Sequence, residues 1–367
     1  MKKILGVLLV ILMLFAFVAC DTGNSSNGGN NGGVTGDTTI DASDLDFDIE
    51  VSALPEVTGT DPFANVKTLY GESYVYEYYE YYKVDSENKI LTYYSRDTDE
   101  NGDILDTFSP IYDFSYSYNE TEKTFSIVIK NLINDDEIIP ITNTSRVKEV
   151  FAEEINKEIE AGKKIYDDME EDALEVFADG SEVEKENIKI YFAELCEQCG
   201  LNYSEDDITS ENIGAILDEC YAIQVVEMIE MSTNYISLMI DDLCSVKQYR
   251  IINLEQTTED EIYVIEAKGI YDESKKWYEQ KAGYFFGFYD SGNIAIMALF
   301  SNVNINDKSY EITEITDSKI ICVAEDDKEN KLELTYTKEG SGENTVITVD
   351  CGDSEVQLTW NTSDFLD

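Results

Sequence analysis

Seven cysteines and no histidine bound the chemistry open to this chain. Without imidazole there is no Ser-His-Asp or Cys-His catalysis, no HExxH zinc site and no His-ligated haem. Six cysteines, Cys196, Cys199, Cys220, Cys244, Cys322 and Cys351, lie in the second half of the sequence. The first four fall in one helical region, and thiolates bind zinc, but the wide gap between Cys220 and Cys244 is not a zinc-site spacing. In an exported chain, which the N-terminus argues for below, an even set of cysteines reads first as disulfides. All six are therefore disulfide candidates, ahead of buried free thiols and of a metal site. Cys196 and Cys199 share a helix face at i, i+3. An intrahelical bridge there strains disulfide geometry, so one of the two is expected to face Cys220 or Cys244.

A second constellation is oxygen-rich. Asp97-Thr98-Asp99-Glu100-Asn101-Gly102-Asp103-Ile104 resembles the first half of an EF-hand calcium loop. The resemblance implies oxygen ligands from Asp97, Asp99 and Asn101, with Asp103 beside them and Gly102 at the sharp turn. Phe108 stands where the family has its bidentate Glu, and the flanks read as strands. The plainer reading is a polar hairpin loop; the functional one is a weak calcium site of extracellular grade.

Tyrosine is the third. Twelve of the 25 tyrosines lie between Tyr70 and Tyr118, and in Tyr74 to Tyr82 they occupy both faces of a strand. Alternation puts Tyr74, Tyr76, Tyr78 and Tyr82 on one side, Tyr79 and Tyr81 on the other. The second side also carries Glu77 and Lys83, so Tyr79 and Tyr81 are expected to face solvent as ligand-binding rings. Exposed aromatic rows stack on sugars or anchor protein contacts.

Charge excludes more than it assigns. There are 26 basic residues against 77 acidic ones, a formal net charge of −51, and the arginines are only Arg96, Arg146 and Arg250. A nucleic-acid backbone needs clustered Lys and Arg, so it is not a partner. Glycoside hydrolysis needs just two carboxylates, but among so many no pair stands out, and no catalytic residue is nominated.

The elements that must hold these groups follow from periodicity. At 367 residues the chain is long enough for about two domains. Residues 67–140 form a Tyr-rich β unit of short runs and polar turns. Residues 141–246 switch to helical spacing, with Val147, Val150, Phe151, Ile155 and Ile159 on one stripe. Residues 247–367 return to β, with Asp290-Ser291-Gly292-Asn293 as a hairpin turn. Tyr78 to Ser95 and Gly283 to Ser301 share an aromatic strand, an Asp-Ser turn and a strand ending in Ser, as if the β units were related. The expected class is α+β: two antiparallel units, sandwich- or barrel-like, with a helical bundle inserted between them. Their texture is similar to small lipocalin-like β-barrel lipoproteins.

The N-terminus gives an address. Lys2 and Lys3 precede an uncharged run from Ile4 to Val18, shorter than a membrane span and suited to a signal peptide. The run ends in Phe17-Val18-Ala19-Cys20, which resembles the lipobox of bacterial lipoproteins. That resemblance implies removal of residues 1–19, a lipid on Cys20, and anchoring to the exported side of a membrane in the cell envelope. Residues 20–39, rich in Gly, Asn, Ser and Thr, read as a flexible tether. Residues 40–66, with alternating acidic side chains and Pro55 and Pro62, read as an acidic linker. Taken together, the sequence favours a non-catalytic binding role with a glycan or protein partner and no required cofactor. The alternatives are a lipocalin-like carrier of a small apolar or glycan ligand, and a carboxylate-based hydrolase.

Overall fold

The computed structural model describes residues 39–71, 80–98, 104–134, 137–259, 261–289, 294–297, 302–305, 308–324, 330–352 and 354–362. The expected signal peptide, Cys20 and nearly all of the expected tether lie outside them, as do Tyr79, Asp99, Asn101 and Asp103. The chain forms two compact units: Ile49–Thr142 with Asp241–Asp367, and residues 39–48 with Asn143–Ile240. The class is α+β with two β units and inserted helices, as the periodicity indicates.

The first unit contains two closed sheets. The first sheet is built from β1 (Thr68–Gly71), β2 (Glu80–Asp85), β3 (Ile90–Thr98), β4 (Ile104–Asn119), β5 (Thr124–Asn134), β6 (Glu137–Pro140), β7 (Lys247–Gln256) and β8 (Ile262–Gly269). Its order is β4-β3-β2-β1-β8-β7-β5-β6, and an additional β4–β5 pairing closes seven strands into a ring. β5 makes closure possible. One edge pairs with β4 over most of its length, while the other takes β7 at Thr124–Ile127 and β6 at Asn131–Asn134. The β1–β8 pair is parallel, Thr68 opposite Ile262. A parallel pair needs a long crossover, and here β2 to β7, together with the described α-helices, lie between the two strands.

In chain order the helices lie between β6 and β7, and β7 and β8 complete the first sheet. Periodicity marks strands but carries no information on which distant strand each will pair with.

The interior of this barrel is aromatic and aliphatic: Leu69, Tyr82, Leu91, Phe114, Tyr116, Phe125, Tyr249 and Ile265 are all buried. Phe63, from the preceding segment, is fully buried and meets Tyr116 and Phe125 edge-on at ring separations of 5.4 and 5.6 Å. Asp61 holds that segment down by accepting hydrogen bonds from Lys89 Nζ, from the Tyr116 hydroxyl at 2.8 Å and from the Phe63 amide at 2.9 Å.

The second barrel is a complete antiparallel meander: β9 (Gly283–Phe288), β10 (Ile294–Met297), β11 (Asn302–Ile305), β12 (Lys308–Ile315), β13 (Lys319–Ala324), β14 (Lys331–Glu339), β15 (Val346–Asp350) and β16 (Glu355–Thr362). It closes through β16 and β9, Trp360 opposite Phe285. Alternating burial along β13, β15 and β16 sends Ile320, Cys322, Ile347, Val349, Val356 and Leu358 inward. An eight-stranded barrel is just wide enough for such side chains to fill.

The second unit is helical: α1 (Thr144–Asp179), α2 (Glu182–Gln198) and α3 (Ile213–Cys244, whose last four residues belong to the first unit). Asn143 caps α1, and Ser181 with Glu184 forms a capping box on α2. Gly162 does not interrupt α1; a β-carbon there would lie 3.6 Å from the Tyr221 ring. That separation is ordinary van der Waals contact, and the Tyr221 hydroxyl donates to the Ile159 carbonyl at 2.6 Å. Residues 40–47 are not a free acidic spacer. Ile40, Leu45 and Phe47 are buried, Phe47 meets Phe151 edge-on, and Lys148 donates to the Leu45 carbonyl at 2.7 Å. The apolar residues alternating with the acidic ones pack on α1 while the carboxylates stay wet. Among the described residues no helix is long and apolar enough to cross a membrane.

Candidate functional site

The most distinctive surface is built across four adjacent strands of the first barrel. Register places Tyr82 opposite Leu69, facing the interior, so Tyr81 and Tyr70 point the other way. Tyr81 pairs with Tyr94 across β2 and β3, and Arg96 with Phe108 across β3 and β4. The result is a cluster of rings, Tyr70, Tyr81, Tyr94 and Phe108, each partly exposed. Tyr81 and Tyr94 stack at 4.9 Å and 4°, with Tyr70 at 5.4 Å and Phe108 at 5.3 Å from Tyr81. Tyr70 and Phe108 both pack against Tyr81, so the rings form a cluster around it rather than an extended row.

Cations lie over the cluster. Lys83 Nζ is 4.4 Å from the Tyr94 ring centre, and the Arg96 guanidinium is 5.8 Å from that of Phe108. Arg96 also pairs with Asp106 at 2.9 Å. Burial, then the Tyr94 and Tyr70 hydroxyls, raise the Tyr81 phenol above its ordinary range, so it stays a neutral donor at physiological pH. Among the described residues the strip thus offers aromatic rings, phenolic hydroxyls and cationic donors. A second set of rings lies inside: Tyr82, Tyr93 and Tyr112, at 5.3 and 6.2 Å, with Phe114.

Of the two rings expected to bind ligand, Tyr81 sits in this strip and Tyr79 lies outside the described residues. Sequence reasoning placed Lys83 on this face but missed Tyr70, Tyr94, Phe108 and Arg96. The one usable signal was the Tyr93-Tyr94 pair, but register decides which rings meet.

The other candidates are placed as follows. Asp97 lies in β3, and Thr98 pairs with Ile104, so the expected calcium loop joins neighbouring antiparallel strands, while three of its four ligands are not described. Among the described residues no group of three or more thiols or carboxylates is arranged to hold a metal ion. All six cysteines are free thiols. Cys196 and Cys220 come together, Sγ to Sγ 3.9 Å, and Cys199 lies within 3.9 Å of the Cys220 carbonyl. Cys244 is buried at the end of α3, where burial pushes its thiol up to about 11. Cys322 is fully buried inside the second barrel, and burial lifts it to about 12; Cys351 is half-buried.

One end of the second barrel holds polar groups among rings. Tyr271 and Trp277 cover that end, packing on Phe285 at 6.3 and 5.2 Å, and Tyr271 meets Trp360 at 5.6 Å. The Tyr271 hydroxyl, Trp360 Nε1 and Thr345 Oγ1 are buried without a hydrogen-bond partner. Each such group carries a desolvation cost unless something unseen satisfies it.

No protein-family model, no curated protein and no solved structure matches this chain.

Proposed function

We propose that this chain is a lipid-anchored protein of the cell envelope, held by Cys20, that binds a glycan through the Tyr70–Tyr81–Tyr94–Phe108 strip without transforming it. The stacked Tyr81–Tyr94 pair within a four-ring cluster carries the reading. Sugars present flat C–H faces and hydroxyl edges, and the strip offers the complementary rings, phenols and cations. The test is an oligosaccharide array probed with the mature chain and with Tyr81→Ala/Tyr94→Ala. The expected result is binding that falls at least tenfold in the variant while its circular dichroism is retained. Equal binding by both proteins, or no glycan bound by the parent, removes the strip from the function.

A carrier role for the second barrel is the other reading. The unpartnered Tyr271 hydroxyl, Trp360 Nε1 and Thr345 Oγ1 favour it, because together they would satisfy a small guest rich in acceptors. Native mass spectrometry of the purified chain would reveal such a guest as a fixed added mass lost on unfolding.

A further inference from the structure

Within the helical unit three sulfurs gather around one residue. Cys220, on α3, has its Sγ 3.9 Å from Cys196 Sγ on α2. Cys199, the residue that ends α2, donates toward the Cys220 carbonyl at 3.9 Å and accepts from Gln224 Nε2 at 3.8 Å. Cys196 and Cys220 are fully buried, whereas Cys199 is half-buried. A disulfide requires a sulfur separation of about 2.05 Å, so Cys196 and Cys220 need a side-chain adjustment of under 2 Å. Cys196 and Cys199 are one turn apart on a single helix, a poor pairing.

We infer that Cys196, Cys199 and Cys220 form a thiol–disulfide exchange site, in which Cys199 reacts first with a small neutral hydroperoxide and the bond is then passed inward to Cys220 and Cys196. In the first step the Cys199 thiolate attacks the peroxide oxygen. The O–O bond breaks, the alcohol or water leaves with a proton, and Cys199 becomes the sulfenic acid. In the second, the Cys220 sulfur displaces that hydroxyl as water and forms the Cys199–Cys220 disulfide. In the third, the Cys196 thiolate attacks Cys220, forms the Cys196–Cys220 bond and returns Cys199 as a thiolate. The sum is two thiols and one hydroperoxide giving one disulfide, one alcohol and one water.

The surroundings assign these roles. A hydrogen bond from the Cys220 thiol, the largest effect, and one from Gln224 draw the Cys199 thiol below its ordinary range, while burial and Glu227 oppose them. Cys220 is pushed up, first by its bond to Cys199 and then by burial, and Cys196 is raised chiefly by burial. The attacking thiolate is therefore the accessible one, and the buried pair stays protonated until the relay reaches it. Glu219 and Glu227 face the site, and the α2 C-terminus adds negative potential. That field disfavours anionic oxidants such as glutathione disulfide and leaves a neutral hydroperoxide as the fitting reagent. The site is independent of the aromatic strip.

The experiment oxidises the full mature chain with hydrogen peroxide, quenches with iodoacetamide and maps peptides without reduction, with dimedone in a parallel sample. The expected product is a Cys196–Cys220 crosslink, with Cys199 the residue that dimedone labels early. Cys199→Ser should slow the crosslink at least tenfold without changing its partners. Cys220→Ala should leave Cys199 trapped as the dimedone adduct. A crosslink forming at the parent rate in Cys199→Ser overturns the relay. So does alkylation of all three thiols in the peroxide-treated parent, or faster oxidation by glutathione disulfide than by peroxide.

Discussion

Tyr81 and Tyr82 are neighbours in one strand, and their removal should have separable consequences. Tyr82 is 6% exposed and packs between Tyr93 and Phe114 inside the barrel. Truncating a buried aromatic costs about 3–5 kcal/mol, so Tyr82→Ala should lose about 4 kcal/mol. Tyr81 touches three rings on the outer face, with Tyr94 stacked and Tyr70 and Phe108 tilted. Aromatic pairs contribute about 0.5–1.5 kcal/mol each. The aligned stack should supply about 1 kcal/mol and the tilted pairs less, so Tyr81→Ala should lose about 2 kcal/mol. Urea unfolding followed by tyrosine fluorescence measures both, and a double-mutant cycle of Tyr81 and Tyr94 isolates the stack. The cycle should return a coupling of about 1 kcal/mol. A Tyr81→Ala loss equal to that of Tyr82→Ala, or a coupling near zero, would refute the assignment of the strip as an outer surface built by ring stacking.

Glu158 on α1 has its carboxyl raised above the ordinary range, first by burial and then by Glu154. Its native form holds a proton more tightly than its unfolded form, so its contribution favours folding at acid pH and is lost as pH rises through the native value. Glu158→Gln should therefore raise the unfolding midpoint at pH 7 and flatten its pH response above the ordinary Glu range; an unchanged profile would contradict this. Gly283 closes the second barrel where a β-carbon would lie 2.6 Å from both the Asn361 carbonyl oxygen and the Trp360 ring. Gly283→Ala should cost about 1–3 kcal/mol, and a neutral result in thermal unfolding would mean that β9 and β16 do not pair so closely. Cys20→Ser should move the protein from the detergent phase to the aqueous phase in Triton partitioning, and detergent-phase retention would exclude the lipid anchor.

Much of the architecture was legible from residue order. The 3.6-residue period of Val147, Val150, Phe151, Ile155 and Ile159 located α1, and those side chains are buried. Strand alternation separated Tyr82 from Tyr81 because successive side chains leave a strand on opposite faces. These are local properties, set by backbone geometry within a few residues. The four-residue strands β1, β6 and β11 are too short to carry an alternating pattern of their own. The pairing of β1 with β8 was beyond the sequence, because a register between Thr68 and Ile262 is chosen by what the closed ring buries. The same holds for function. Composition excluded imidazole chemistry from this chain, since absent residues cannot act in any fold. Only the tertiary structure brought Tyr70, Tyr81, Tyr94 and Phe108 from four strands into one cluster, and Cys196 from one helix to within 3.9 Å of Cys220 on another. Such sites are made by side chains distant in sequence, and their proximity depends on packing and register that no short stretch of chain contains.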